Sequence, residues 1–306
     1  MKKVLTILLL LLIILGCSNK ENKKKIDMGD VIKTDKTTSD EKDKIRIAVA
    51  AMISPKETFV YYEKLLDYIG EKIGQEVEFV QRDTYGEVNQ LLENKKIDFA
   101  FVCSGPYVTG KEKFGMQLLV VPVVNGETVY YSYVIVSKDA DYKNFADLKQ
   151  TNFAFTDPKS NTGCLVPTYE LSKLGQYPET FFRSIIYTHS HDNSIEMVAR
   201  KKVDAATVDH LIWEYMNATN PKFTSQTKII RKFGPFGIPP VVVHPDIDKK
   251  LKNKVEKILL NMHKTEEGKK ILNKIMIEKF AIVDDEHYES VRQMKKWLNE
   301  FQEKEK

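Results

Sequence analysis

The sequence predicts an α/β protein built as two lobes, and three observations carry that expectation. Apolar strand-like runs and amphipathic helical stretches alternate in the order β-α-β-α-β between Ile45 and Tyr107. The same alternation starts again after Asn152, and Gly234-Pro235-Phe236-Gly237-Ile238-Pro239-Pro240 interrupts it where the chain would return to the first lobe.

Ile45–Ala51 reads as the first strand. After Ser54-Pro55-Lys56-Glu57 comes a helix with Phe59, Tyr62, Leu65, Leu66 and Ile69 at a spacing suited to packing on one side. Gln75–Gln81 is a second strand, Tyr85–Asn94 a short helix, and Ile97–Val102 a third strand ending at Cys103-Ser104-Gly105-Pro106-Tyr107. Gly105-Pro106 suits a loop turning into a helix, because proline is harmless in a first turn that leaves its N–H groups unpaired anyway. Met116–Pro122 and Tyr130–Ser137 are strand-prone and lead across to the second lobe. There Asn152–Thr156, Ser184–Thr188 and Ala205–Val208 read as strands, and Cys164–Lys173 and Ser194–Lys201 as helices. Ile229–Phe233 and Val241–Val243 are the returning strands, followed by helices near Asp248–Met262 and Thr265–Ile277. Later aromatic residues remain to pack on the first lobe. The expected boundaries place residues 45–130 and 236–306 in a discontinuous lobe 1 and residues 131–235 in lobe 2.

The start of the chain is different in kind. Lys2 and Lys3 precede an apolar stretch from Val4 to Leu15 and then Gly16-Cys17-Ser18, the pattern of a bacterial lipoprotein signal at residues 1–17 with Cys17 as the lipidation site. Ser18–Lys44 holds eight lysines and seven acidic residues with few large apolar groups, so it is expected to be a solvated tether. The chain is therefore expected to be exported and lipid-anchored at the outer face of the cell membrane or in the periplasm. The net charge of +4 is spread over interleaved lysines and acids, with no basic tract or nucleic-acid motif, which argues against nucleic acid as a partner.

The most informative local feature is Asp157-Pro158-Lys159-Ser160-Asn161-Thr162-Gly163, between a strand and a helix. Ser160, Asn161 and Thr162 offer side-chain donors, and the first N–H groups of the following helix lack internal partners. The turn can thus cradle an anion or simply cap the helix. Asp209 leaves the end of a strand and can accept a ligand O–H or cap a helix. His191 and Asp192 form a second cluster in which His191 can donate to an anion or play a packing part. His189, His191, Asp192 and His210 have the chemistry of zinc ligands, but a loop does not fix their directions and no thiol cluster accompanies them, so no metal is expected. Cys103 and Cys164 are expected as free thiols.

Four stretches together, IRIAVAAMISP, KKIDFAFVCSGPYV, FTDPKSNTGCLVP and HSHDNSIEMVARKKVDAATVD, resemble the phosphonate/phosphate family of substrate-binding proteins of bacterial ABC transporters over roughly residues 45–282. The resemblance implies a type II periplasmic-binding-protein fold, with two crossover strands joining α/β lobes around a central ligand cleft. It implies capture of a small phosphorus oxyanion, delivery to an ABC permease, no turnover, no cofactor and a monomer. On this reading Ser160, Asn161, Thr162 and Gly163 surround the ligand oxygens with His191 and Asp209 nearby. Tyr107 approaches from lobe 1, with Ser104 and either Tyr61 or Tyr62 as further lobe 1 contacts. A ligand-sensing lipoprotein and a phosphoryl-processing enzyme are the competing classes; the enzyme lacks a nucleophile elbow, a P-loop or a two-metal carboxylate array.

Overall fold

The computed structural model describes residues 44–303, the side chains of residues 55–61 excepted. Cys17, the signal and most of the tether lie outside the described residues. Strands β1 (Ile45–Val49), β2 (Val77–Gln81), β3 (Phe99–Phe101), β4 (Gln117–Val123), β10 (Val241–Val243) and β11 (Lys279–Ala281) form one sheet in the order β11-β4-β10-β3-β1-β2. A second sheet, ordered β7-β6-β8-β5-β9, contains β5 (Val129–Ser137), β6 (Asn152–Phe155), β7 (Ser184–Tyr187), β8 (Ala205–Asp209) and β9 (Thr227–Gly237). The chain passes between the sheets twice, from β4 to β5 and from β9 to β10, which makes the two lobes.

Each sheet is covered on both faces, because successive side chains along a strand point to opposite sides. In β1, Ile47 and Val49 enter one lobe 1 core and Ala48 the other. In lobe 2, Phe153 and Phe155 of β6 enter a phenylalanine-rich core with Phe145, Phe181 and Phe182, while Ala154 faces Ile195 and Val198 on the opposite side.

Within each sheet one set of strands runs parallel. β1 pairs with β2 and β3, and β6 pairs with β7 and β8. Each of these six strands feeds a helix. In lobe 1 they are α1 (Pro55–Ile73), α2 (Tyr85–Glu93) and α3 (Ser104–Phe114). In lobe 2 they are α4 (Val166–Ser172, entered through a wide turn at Asn161–Leu165), α5 (His191–Ala199) and α6 (His210–Thr219). Parallel strands put their C-terminal ends, and hence all three helix N-termini of a lobe, on one edge of its sheet.

Two sequence expectations change. The Gly234–Pro240 interruption is narrower than expected, since β9 continues through Gly234-Pro235 to Gly237 and pairs with β5 across a register shift. β9 is an edge strand, where the missing N–H of Pro235 can face away from the ladder. The C-terminal helix α9 (Glu289–Glu303), numbered after α7 (Lys249–Asn261) and α8 (Glu266–Lys274), is not confined to lobe 1. Lys295 reaches Thr109 and Glu112 of α3, whereas the Trp297 indole donates to Ser172 of α4 and its ring meets Tyr169 edge-on. Helix α6, which carries Leu211, Ile212 and Trp213, had no counterpart in the sequence reading.

Candidate functional site

The two helix-bearing edges face each other and touch. The Tyr85 N–H at the start of α2 donates to Asp157 of lobe 2 at 3.1 Å, and the Ser54 N–H before α1 donates to Asp192 at 2.8 Å. The His191 N–H donates to the Met52 carbonyl at 3.0 Å. Carboxylates of lobe 2 thus sit at helix N-termini of lobe 1, where the unpaired N–H groups and the helix dipole favour negative charge. At Gly105 the lobes come so close that a Cβ would stand 2.5 Å from the Lys159 carbonyl oxygen, a distance only glycine avoids.

Inside this contact lies the Ser160–Gly163 turn, whose Ser160, Asn161 and Thr162 are fully buried. The Ser160 hydroxyl oxygen accepts the Gly163 N–H at 3.0 Å, which leaves its own proton free to donate. The Thr162 hydroxyl and the Tyr85 hydroxyl, which lies near Ser160, are buried without a hydrogen-bonding partner in the protein. The Asn161 amide donates to the Tyr130 hydroxyl at 3.0 Å and leaves its own carbonyl oxygen unpartnered. Gly163 packs directly on Thr156 and His191, so the turn has no room for a side chain there.

His191, the first residue of α5, has zero exposure. Its Nδ1 accepts the Asp209 N–H at 3.0 Å and lies 3.1 Å from the Thr156 hydroxyl. An accepting Nδ1 puts the proton of the neutral ring on Nε2, and that atom is buried with no partner in the protein. Burial depresses the imidazole to about 3, so the ring stays neutral and acts as a donor. Asp209 ends β8 and caps α6, accepting the Leu211 N–H at 2.8 Å. Burial pushes its carboxyl up to about 7, against the opposing effect of the backbone donors Leu211 and Ile212. Ser190 and Thr207 add two more buried hydroxyls without protein partners. The site therefore gathers neutral donors and one buried carboxyl of raised pKa at helix N-termini, a combination suited to a small oxyanion.

Two expected contacts stand elsewhere. The Tyr107 phenol donates to Asp285 at 2.5 Å and its ring packs on Tyr288, so it serves the C-terminal segment rather than the turn. Three residues into α3, its direction is set by that distant segment. The Ser104 hydroxyl donates to the Gly237 carbonyl at 2.5 Å and ties lobe 1 to a crossover strand. Tyr62 lines the cleft on the Asp209 side, where burial and the Asp209 charge push its phenol up to about 12. The side chain of Tyr61 lies outside the described residues. Among the described residues no group of three histidine, cysteine or acidic side chains is placed to hold a metal, and Cys103 and Cys164 are free. The buried, unpartnered hydroxyls of Tyr85, Ser190 and Thr207 were not singled out in the sequence. A threonine inside the apolar Ala205–Val208 run was a readable signal, whereas Tyr85 at the head of an ordinary amphipathic helix gave none.

Two α/β lobes joined by two crossovers around a buried polar cleft define a solute-binding protein of the type II periplasmic class. The family model for the ABC transporter phosphonate periplasmic substrate-binding protein matches residues 47–288, and the chain belongs to that family. The phosphonates-binding periplasmic protein of Escherichia coli is 25% identical over 229 residues, covering 73% of this chain and 68% of that one. A phosphate-import protein of Mycolicibacterium smegmatis is 30% identical over 156 residues, covering 47% of this chain and 48% of its own length. Among solved structures, a binding component of an ABC phosphonate transporter from Pseudomonas aeruginosa superposes with a TM-score of 0.79 at 24% identity, covering 84% of this chain and 87% of that one. A Prochlorococcus marinus protein in complex with methylphosphonate gives 0.76 at 17% identity, with 83% and 98% covered.

Proposed function

We propose that this protein captures a small phosphorus oxyanion, a phosphonate or phosphate/phosphite, between its lobes and delivers it to the permease of an ABC importer. The observation that carries this reading is the set of buried donors without protein partners, Thr162, Tyr85 and His191 Nε2, around the Ser160 hydroxyl. A tetrahedral anion can receive several of them at once, and each hydrogen bond to a charged oxygen contributes about 1.5–3 kcal/mol. The Asn161 amide, turned over, would accept from Tyr130 and offer its NH2 to the ligand. Asp209 supplies what a purely donating cradle lacks. Its carboxylate can accept a ligand O–H, so the acid and the anion share one proton.

The ligands for which the relatives are named or with which they were solved, phosphonates, phosphate and methylphosphonate, support the same chemical class. His191 is held as a donor rather than a base, which supports binding without turnover. Export and anchoring through a lipid on Cys17 are supported by the Lys2-Lys3 start, the short apolar stretch and Gly16-Cys17.

Calorimetric titration of the purified chain at pH 8 with phosphate, phosphite, methylphosphonate and sulfate tests the reading. One phosphorus oxyanion should bind one to one. Sulfate, which unlike hydrogen phosphate has no proton to offer the ionised Asp209 at this pH, should bind at least about a hundredfold more weakly than phosphate. Failure of all three phosphorus ligands, or equal binding of sulfate, would contradict it.

A further inference from the structure

A cavity of about 120 Å³ lies in the cleft on the far side of Asp209, against the crossover segments. Met52, Tyr62 and Phe101 of lobe 1 form one wall, Leu211 and Ile212 of α6 the other, and Ile238 lies at the crossover end. The rest of the lining is mainly aliphatic, proline or aromatic, with no lysine or arginine among the described residues. Of its two acids, Glu214 already accepts the Tyr133 hydroxyl at 3.0 Å, and Asp209 belongs to the anion cradle.

The cavity adjoins the cradle at two points. Asp209 lines it directly, and Met52, also in its wall, holds the His191 backbone through the 3.0 Å hydrogen bond. A tetrahedral group seated on the Ser160 turn, His191 and Asp209 would therefore direct its fourth substituent toward apolar walls drawn from both lobes. The volume is close to that of the roughly 150 Å³ apolar cavity that accommodates a benzene ring.

We propose that this cavity is a subsite for an uncharged hydrocarbon substituent on phosphorus, so that the preferred ligand is an organophosphonate with an apolar group of about three to six carbons. The inference rests on the phosphorus-oxyanion reading above and specifies its substrate class. Because walls from both lobes would cover the substituent, its burial adds directly to the free energy of closure. An ammonium-bearing substituent would lose its hydration here and find as counter-charges only Asp209, which burial holds near half protonation at neutral pH, and Glu214, which is already engaged by the Tyr133 hydroxyl.

The test is a calorimetric series on the purified full chain with methyl-, n-propyl-, n-butyl- and 2-aminoethylphosphonate. Affinity should rise about fourfold per added methylene, and n-propylphosphonate should bind at least about tenfold more tightly than its near-isostere 2-aminoethylphosphonate. Ile212→Trp, which would fill the cavity, should bring the butyl-to-methyl affinity ratio down to about one. The series on the unaltered chain decides the matter even if that variant fails to fold. If methylphosphonate binds but affinity is flat or falls along the series, or if 2-aminoethylphosphonate outbinds n-propylphosphonate, the subsite is wrong and the oxyanion reading stands. If no phosphonate binds, the subsite is wrong, and the oxyanion reading falls with it only if phosphate and phosphite also fail to bind.

Discussion

The two lobes bring different chemistry to the same cleft. Lobe 2 holds the Ser160–Gly163 turn, His191, Thr207 and Asp209, and their geometry is set largely within that lobe, by Gly163 on Thr156 and by the Asp209 N–H on His191. Lobe 1 offers the Tyr85 hydroxyl, but two of its three helix N-termini are already engaged by Asp157 and Asp192. This difference supports the proposed reading, in which lobe 2 is a pre-arranged cradle and lobe 1 a cover. On that reading the cradle would supply selectivity, while the contacts between the edges would set how far the closed form is populated.

The strongest way to break this comparison is to strip the cradle. Ser160→Ala and Thr162→Ala should each weaken oxyanion binding about 10- to 100-fold with little change in melting temperature, as measured by titration and thermal unfolding. Equal affinity in both variants would remove the turn from the site. Next in size is the cover. Gly105→Ala sets a methyl group against the Lys159 carbonyl and should cost closure roughly 1–3 kcal/mol, weakening binding and enlarging the apo form in small-angle scattering. Unchanged affinity and dimensions would show that the lobes do not need this approach.

Asp209→Asn sharpens the account through pH. The native carboxyl, raised to about 7, keeps a proton between about pH 4 and 7 that the unfolded chain has lost. Its stabilising contribution is therefore complete below the unfolded value of 3.8 and is lost as pH rises through about 7. His191, lowered to about 3, runs the other way, contributing above its ordinary 6.5 and losing that contribution as pH falls toward 3. Removing Asp209 should leave stability rising with pH up to about 6.5. It should also flatten the fall in methylphosphonate affinity expected above pH 7, when acid and ligand no longer share a proton. An unchanged pH profile of binding would exclude Asp209 from the ligand. The smallest effect is expected at Tyr107→Phe, which removes a hydrogen bond to Asp285 and should lower stability by about 1 kcal/mol without altering affinity.

What could be read from the sequence follows from the range of each interaction. The β-α alternation and the Asp157–Gly163 turn are local patterns, so the layered architecture and the turn that we propose as the core of the cradle were legible. His191 and Asp209 were legible because each stands where a helix begins after a parallel strand. Tyr85 stands at an equivalent place but was hidden by looking like any aromatic residue of an amphipathic helix. Tyr107 was misread because its partner lies 178 residues away, and helix α9 because Trp297 meets lobe 2 only in three dimensions.

The most direct test of the central claim is a crystal structure of the protein with methylphosphonate. Phosphonate oxygens are expected within hydrogen-bonding distance of the Ser160 and Thr162 hydroxyls and of His191 Nε2, with the Tyr85 hydroxyl completing the shell from lobe 1. A phosphonate bound elsewhere, or held in the cleft without contact to the Ser160–Gly163 turn, would contradict it.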